Sequence, residues 1–177
     1  MGNVTSGRGN GKRHLSQCKE ELRRVTDENI YLGSLNVILS RPIRFREELA
    51  RTFDNDERSL WPAVLNGRQV WVYRWARAPL HVAEIISATH FRDELKLADG
   101  DEVSLQIEGE FLAPLPLSNI VAWAMFWLGR RQWCYTNDRY YYGTANWCRR
   151  LGAIQDRRNT DTRSPVAASA MSKIPVN

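Results

Sequence analysis

The sequence predicts a mainly β fold with α additions, a compact β-barrel followed by a helical extension. Several short apolar stretches are separated by turn residues, as at Asn66-Gly67 and Asp99-Gly100-Asp101. One or two small helices accompany these strands, as their 3–4 residue apolar spacing indicates. Around Pro114 and Pro116 the chain changes character and becomes aromatic and basic. Short strands with tight turns are typical of small barrels, which predicts the fold class.

The N-terminal third is predicted to contain a loop, a helix and a strand. Residues 1–13 are expected to be a loop because Gly and Arg dominate them. Residues 15–26 carry apolar side chains at 3–4 residue spacing, which predicts an amphipathic helix. Residues 30–39 have apolar side chains on alternate positions, which predicts a strand that Arg41-Pro42 ends.

The middle of the chain is predicted to be mostly strands. Residues 45–53 are interpreted as a short charged helix or an irregular connection, and Asn66-Gly67 is a hairpin turn signal between apolar flanks. The other predicted elements are a strand at 84–86, a short helix at 88–97 and a strand at 103–107.

The C-terminal part is predicted to be an extension of the barrel. Residues 120–128 form a strongly apolar helix, which falls well short of the ~20 residues that a membrane span needs. Residues 130–150 mix Trp, Tyr and Arg, and the polar residues beyond 154 predict disorder. The predicted division is a barrel domain at 1–110, an extension at 111–154 and a disordered tail at 155–177.

Charge and cysteine usage limit the class of protein. Residues 1–110 carry 16 Lys and Arg against 17 Asp and Glu, whereas residues 111–177 carry 9 against 3. This basic excess suits an anionic partner or a solvated tail, and the tail is the favoured interpretation. Three cysteines without a CxxC spacing suggest reduced thiols in the cytoplasm, although a Cys134–Cys148 pair stays open.

Two segments suggest a site that handles phosphates. Residues 6–13 (SGRGNGKR) place three glycines at alternate positions and end in two cations. Backbone N–H groups that approach closely, together with positive charge, suit a polyphosphate. Ser34 and Asn36 lie two positions apart, so on a strand their oxygens share one face and suit a hard cation.

These segments occur in order with a third, and the set resembles the archaeal CTP-dependent riboflavin kinases. The matching stretches are residues 6–13, residues 31–37 (YLGSLNV), Glu84-Ile85-Ile86 and residues 91–103 (FRDELKLADGDEV). The resemblance covers about residues 5–108. It implies a small six-stranded cradle-loop barrel that transfers the γ-phosphate of CTP to the 5′-hydroxyl of riboflavin, giving FMN and CDP, with Mg²⁺ as cofactor.

The resemblance also implies site residues. The nucleotide would be held by Arg8, Gly9, Asn10, Gly11, Lys12, Arg13, Thr89, His90, Phe91 and Arg92. Ser34 and Asn36 would hold Mg²⁺. Glu84 would lie on the flavin side and is the best available carboxylate for a catalytic role, with Arg77 as a second flavin contact.

The sequence departs from the family pattern in ways that bear mainly on flavin binding. Ser34 replaces the usual Thr, and Asn10 stands where Glu is common. An Arg-Thr-His type motif usually precedes Glu-Ile-Ile, but Ala76 or a neighbour lies at its Thr position here. The stretch between Gly67 and Glu84 also looks shorter than in archaeal members.

Three functions follow as hypotheses. The first is the kinase, with CTP and riboflavin as substrates. The second is a catalytically impaired sensor that binds nucleotide or flavin. The third is a nucleic-acid-binding protein using the basic, aromatic C-terminus, which is disfavoured because aromatics more often pack on the barrel or on a second subunit. The extension is expected either to cover the site or to form a homodimer, and no membrane association is expected.

Overall fold

A computed structural model describes residues 1–7, 11–129 and 136–154. The strands are β1 (Gly2–Thr5), β2 (Leu35–Leu39), β3 (Arg44–Phe45), β4 (Arg51–Phe53), β5 (Arg58–Leu65), β6 (Arg68–Trp75), β7 (Val82–Ile86), β8 (Glu102–Val103), β9 (Leu105–Gln106) and β10 (Leu112–Ala113). The helices are α1 (Gly11–Gln17), α2 (Lys19–Thr26), α3 (Phe91–Glu94), α4 (Leu117–Trp127) and α5 (Asp138–Arg150). Two 3₁₀ turns lie at Glu47–Leu49 and Gly109–Phe111.

One antiparallel sheet dominates the fold. Its strand order is β4-β5-β6-β7-β2-β1-β8, and β9 pairs with β5 outside this path. β8 and β9 follow one another in the chain. β8 pairs with β1 and β9 pairs with β5, so residues 102–106 contact both of these strands. The prediction of a mainly β fold with helices is confirmed, and a closed six-stranded barrel stays a prediction.

The sheet buries apolar side chains on both faces. One face carries the main core, in which Val37, Trp61 and Val72 are fully buried. The opposite face of β5, β6 and β7 is covered by α1 and α2, whose Leu15 and Leu22 pack on this side. Burial of both faces explains why every residue of β2 and β7 is buried, including the polar Asn36 and Glu84.

Several predicted elements differ from the structure. The loop predicted at residues 1–13 was wrong for Gly2–Thr5, because pairing with β2 and β8 makes this segment a strand. It was also wrong for residues 11–13, which begin α1. The predicted helix over 15–26 is two helices interrupted at Cys18. The strand predicted from Ile30 begins only at Leu35, and the helix predicted at 88–97 is reduced to the single turn of α3.

The connection at residues 45–53 is also resolved. It consists of the end of β3, a 3₁₀ turn and β4, so the irregular alternative was closer than a helix. A two-residue turn at Asn66 and Gly67 joins β5 to β6, with φ of 47° and 80°. Both values suit a type I′ turn, as the hairpin signal predicts.

The extension packs on the connection between β6 and β7. Trp123 donates from Nε1 to His81 Nδ1 at 2.9 Å, and Tyr141 donates from its hydroxyl to the Arg77 carbonyl at 2.6 Å. Trp127 is fully buried in the same cluster. These aromatics are therefore used for packing on the β domain, whereas Trp147 is 60% exposed.

The remaining predictions for the C-terminal part lie partly outside the described residues. These are the disordered tail from residue 155 and the pairing of Cys134 with Cys148. The domain boundaries stay predictions. Within the described ranges, no helix combines the length and the apolar character that crossing a membrane requires.

Candidate functional site

Three polar side chains meet on neighbouring strands at the outer face of the sheet. Asn36 on β2 lies opposite Glu84 on β7 and opposite Thr5 on β1. All three are largely buried, with Asn36 at 7% and Glu84 at 9% exposure. Polar groups buried side by side in the middle of a sheet are costly unless they have partners, so this group marks a site to examine for chemistry.

Ser34 joins this group from the residue just before β2. Its hydroxyl donates to Glu84 Oε2 at 3.1 Å. Ser34 and Asn36 lie on the same face because they are two positions apart in an extended segment. The structure thus places a hydroxyl, an amide and a carboxylate next to one another.

The glycines of the N-terminal segment approach this group from outside. A Cβ on Gly11 would lie 2.9 Å from Ser34 Oγ and 4.0 Å from Glu84 Oε2. A Cβ on Gly7 would lie 3.1 Å from Asn36 Cγ and would overlap Asn36 Nδ2. Only glycine lets the backbone come this close. The two described ends of the glycine segment therefore flank Asn36 and Ser34.

A clamp of polar contacts holds the start of the glycine segment. The Ser6 backbone N–H and hydroxyl donate to Asp99 Oδ2 at 2.9 and 2.5 Å. Arg92 donates from Nη2 to Asp99 Oδ1 at 2.7 Å and to the Thr5 carbonyl at 2.8 Å. Arg92, for which the resemblance implies nucleotide contact, therefore also anchors the chain beside Asn36.

Replacement of Asp99 by Asn is expected to loosen this clamp. The hydrogen bonds from Ser6, assisted by Arg92, hold the pKa of Asp99 below its usual value, so the folded state favours the carboxylate. The clamp therefore stabilises the fold fully above the ordinary Asp pKa of about 3.9. This stabilisation is lost as the pH falls through the lowered pKa of Asp99 in the folded state. We expect amide exchange at Ser6 and Gly7 to rise about fivefold in the variant, which corresponds to ~1 kcal/mol for a partly exposed pair.

Hydrogen exchange followed by mass spectrometry measures this effect. Glu102→Gln, an exposed carboxylate on β8, makes the same charge change outside the clamp and serves as control. Equal protection of Ser6 in wild type and Asp99→Asn would show that the carboxylate does not hold the segment.

A cleft opens beside Ser34. It is lined by Tyr31, Ser34, Ser87, Thr89, His90 and Arg92, among others. The Tyr31 and His90 rings lie 4.7 Å apart, and Tyr31 is 42% exposed. His90 Nδ1 contacts Asp93 Oδ2 at 2.5 Å, and the Thr89 hydroxyl donates to Glu94 at 2.7 Å. An exposed aromatic pair next to polar groups suits a flat ring such as a base.

The other predicted site residues fall into three groups. Lys12 and Arg13 are exposed in the first turn of α1, next to Gly11. The Phe91 side chain is 5% exposed and belongs to the main core. Arg8, Gly9 and Asn10 lie outside the described residues.

Arg77 is not brought to this group. Arg77 precedes β7, whose first residue, Val82, pairs with Ile38 near the end of β2. Ser34 precedes β2, whose first residue, Leu35, pairs with Ile85 near the end of β7. Arg77 and Ser34 therefore lie at opposite ends of this strand pair. The Arg77 side chain is exposed, and its carbonyl accepts the hydrogen bond from Tyr141 in the extension.

Sequence reasoning assigned no role to several residues that the structure places here. Tyr31 was part of the matching motif, but only the fold shows its contact with His90. Ser6 and Asp99 are separated by 93 positions, so no local pattern connects them. The sequence features that mark these two positions are the glycines that follow Ser6 and the turn at Asp99-Gly100-Asp101.

The oxygen donors suit a hard cation. Among the described residues no group of three His, Cys, Asp or Glu side chains forms a metal cluster. Ser34, Asn36 and the nearby Glu84 instead offer a hydroxyl, an amide and a carboxylate oxygen, which are the ligand types that Mg²⁺ takes with substrate phosphates. The donor set therefore fits Mg²⁺ shared with a nucleotide better than a metal held by protein alone.

Comparisons with known proteins identify a family for this region. Residues 4–107, more than half of the chain, match the family model for CTP-dependent riboflavin kinases, described as domain of unknown function DUF120. A curated riboflavin kinase from Saccharolobus solfataricus is 28% identical over 125 residues, which cover 60% of this chain and 71% of that protein. The matched region contains the glycine segment, Ser34, Asn36, Glu84 and the clamp.

Proposed function

The chain belongs to the family of CTP-dependent riboflavin kinases, and from that premise we propose that it transfers the γ-phosphate of CTP to the 5′-hydroxyl of riboflavin, giving FMN and CDP. One observation carries the proposal: Gly7 and Gly11 lie directly against Asn36 and Ser34. This contact creates a place where a triphosphate can touch backbone, cations and oxygen donors together. The domain's proposed architecture is the family's six-stranded cradle-loop barrel.

The proposed chemistry needs positioning and charge neutralisation more than covalent help from the protein. The riboflavin 5′-oxygen attacks the γ-phosphorus, and the bond from that phosphorus to the β–γ bridging oxygen breaks as CDP leaves. Glu84 accepts the proton of the 5′-hydroxyl. Lys12 and Arg13 offset the charge on the phosphates, and the clamp keeps the glycine segment over them.

Mg²⁺ is proposed as the cofactor. When bound, it neutralises phosphate charge and brings the triphosphate to the protein's oxygens. Ser34 and Asn36 are the proposed ligands, because their oxygens lie on one face next to the glycine segment. Ser34 also links this pair to Glu84 through the 3.1 Å hydrogen bond.

Product analysis tests the proposal. Purified protein with riboflavin, CTP and Mg²⁺ should form FMN, detected by chromatography, and ATP should substitute poorly for CTP. Absence of FMN with either nucleotide would refute the kinase proposal.

Ser34→Ala and Asn36→Ala are expected to raise the Mg²⁺ concentration needed for half-maximal rate. Loss of one oxygen ligand should cost at least about tenfold in metal affinity, the equivalent of ~1.4 kcal/mol. Titration of FMN formation with Mg²⁺ measures the change, and Asn146→Ala on the exposed side of α5 is the matched control. Unchanged Mg²⁺ dependence in both variants would remove the metal assignment.

A second candidate function is a sensor that binds nucleotide or flavin without turnover. The observation that favours it is the altered segment after β6, where Ala76 stands near the position of the family's flavin-contacting Thr. The extension packs on this same segment through Arg77 and Pro79, which forms a β-bridge with Ile154. Calorimetric binding of CTP or riboflavin without FMN formation would support the sensor.

The homodimer through the extension and the cytoplasmic location stay predictions, as does the expected absence of nucleic-acid binding. Sedimentation of the full chain tests the first. Salt-dependent binding to RNA or DNA would argue against the last.

A further inference from the structure

A largely buried cation, Arg58, lies at the start of β5 and has no role in the chemistry described so far. Its side chain is only 15% exposed. Nε donates to Asp54 Oδ2 at 2.6 Å, and Nη1 donates to the Tyr73 hydroxyl. The guanidinium thus connects the turn before β5 with the middle of the sheet.

The turn that presents Asp54 has an unusual backbone. Asp54, Asn55 and Asp56 have φ values of 56°, 53° and 63°, three consecutive non-glycine residues in the left-handed region. A left-handed run of three non-glycine residues is unfavourable, so it persists only because other contacts hold it. The Asp54 N–H donates to Glu21 Oε2 at 3.0 Å, and Thr52 hydrogen-bonds Asp56. One result of this strained turn is that the Asp54 carboxylate faces Arg58.

Tyr73 carries the connection from Arg58 to the site. It lies opposite Glu84 in the β6–β7 register, so both side chains are on the outer face of the sheet. Burial and the charge of Glu84 raise the pKa of Tyr73, so its phenol is neutral at physiological pH. A neutral phenol has one proton and two lone pairs, and Arg58 occupies a lone pair. The Arg58 hydrogen bond therefore fixes the orientation of the Tyr73 side chain, which neighbours that of Glu84 across the β6–β7 pair.

Arg58 also lies near the helix that follows the glycine segment. Burial and the charges of Arg58 and Arg13 lower the pKa of His14 on α1. Lys12 and Arg13 are in the same helix, one turn or less from His14. Arg58 is therefore one strand away from Glu84 and, through Tyr73, adjoins the apolar cluster that contains Leu15 of α1.

We propose that Arg58, held by Asp54 and acting through Tyr73, is a positioning residue that fixes Glu84 relative to the phosphate-binding end of α1. This inference rests on the proposed kinase function. Asn36, Ser34 and the clamp do not contact Arg58 through any of these hydrogen bonds. Loss of Arg58 or of the Tyr73 hydroxyl should therefore impair the catalytic step more than nucleotide binding.

Steady-state kinetics of Tyr73→Phe, Arg58→Lys and the double variant test this inference. Each single change should lower kcat about tenfold, with KM for CTP within about twofold of wild type. The double variant should be no slower than the worse single variant, because both changes break one connection. Tyr142→Phe removes the hydroxyl of an exposed tyrosine on α5 in the same way, so its kcat should stay near that of wild type.

Several results would overturn the inference. These are an unchanged kcat in Tyr73→Phe, additive losses in the double variant, or an equal loss in Tyr142→Phe. If Arg58→Lys does not fold, Tyr73→Phe and Tyr142→Phe decide the matter.

A wild type without turnover would refute the proposed function by itself. Hydrogen exchange at Glu84 and Ile85 then decides the positioning claim. Exchange should accelerate in Tyr73→Phe and stay unchanged in Tyr142→Phe, and equal rates in Tyr73→Phe and wild type would overturn the claim.

Discussion

Replacement of Gly7 by alanine is expected to lower the rate of FMN formation about 100-fold in a protein that still folds. The added Cβ would lie 3.1 Å from Asn36 Cγ and overlap Nδ2, which real side chains do not tolerate. Asn36 is 7% exposed and has little room to move aside. Either its amide leaves the position beside Ser34, or the glycine segment lifts away from the sheet.

Both outcomes separate the phosphate-binding segment from the oxygen donors. A displacement of about 1 Å at such a site is enough for a loss of this size. Gly7 itself is exposed, so the core should be unaffected.

Kinetics and thermal unfolding measured together distinguish this effect from a folding defect. Gly109→Ala is the matched control, because nothing lies within 4 Å of a Cβ at that position. The expected pattern is a melting temperature near that of wild type for both variants, with turnover lost only in Gly7→Ala. Turnover within twofold of wild type in Gly7→Ala would mean that the close approach to Asn36 has no part in the reaction.

Sequence patterns correctly predicted the elements that are stabilised by residues close in sequence. The Asn66-Gly67 signal specified the β5–β6 hairpin, since a two-residue turn determines its own register. The apolar run at residues 120–128 corresponds to α4, although the helix begins three residues earlier. In both cases the pattern and the structure are decided by residues close in sequence.

Elements that depend on distant partners were missed. Gly2–Thr5 has no strand pattern of its own, and only pairing with β2 and β8 makes it β1. The same holds for the turn at Asp54–Asp56, whose left-handed run is supported by Glu21 and Arg58 from other elements. Secondary structure imposed by tertiary contacts has no local signal to find.

The candidate site shows the same division. Ser34, Asn36 and Glu84 stand in short motifs, so the resemblance could assign them, and the strand register then places them together. Arg58 and Tyr73 contribute through contacts that span 4 and 15 positions, and no motif marks them. Asp99 stands in the matching stretch 91–103, but its contact with Ser6, 93 positions away, has no local signal. Arg77 was chosen because it lies in the altered flavin motif, and the structure puts it at the other end of β7 from Ser34.

Glu84→Gln is expected to lower kcat by a factor of about 100 or more while leaving KM for CTP near the wild-type value. Glutamine has the same shape, and its amide oxygen can accept the hydrogen bond that Ser34 donates over 3.1 Å. What the variant lacks is a negative charge able to take the proton from the 5′-hydroxyl of riboflavin. General-base groups contribute about 10²–10⁴ to rate, so the loss should appear in the chemical step.

Two measurements separate this base role from other roles of the carboxylate. If Glu84 served mainly as a metal ligand, excess Mg²⁺ would restore the rate of Glu84→Gln, whereas a missing base is not replaced by more metal. Glu48→Gln, an exposed carboxylate in the 3₁₀ turn before β4, makes the same charge change away from the site and should keep wild-type kinetics. Full recovery at high Mg²⁺, or an unchanged kcat in Glu84→Gln, would assign proton transfer to a group other than Glu84, because the variant keeps the packing and the Ser34 contact and loses only the charge.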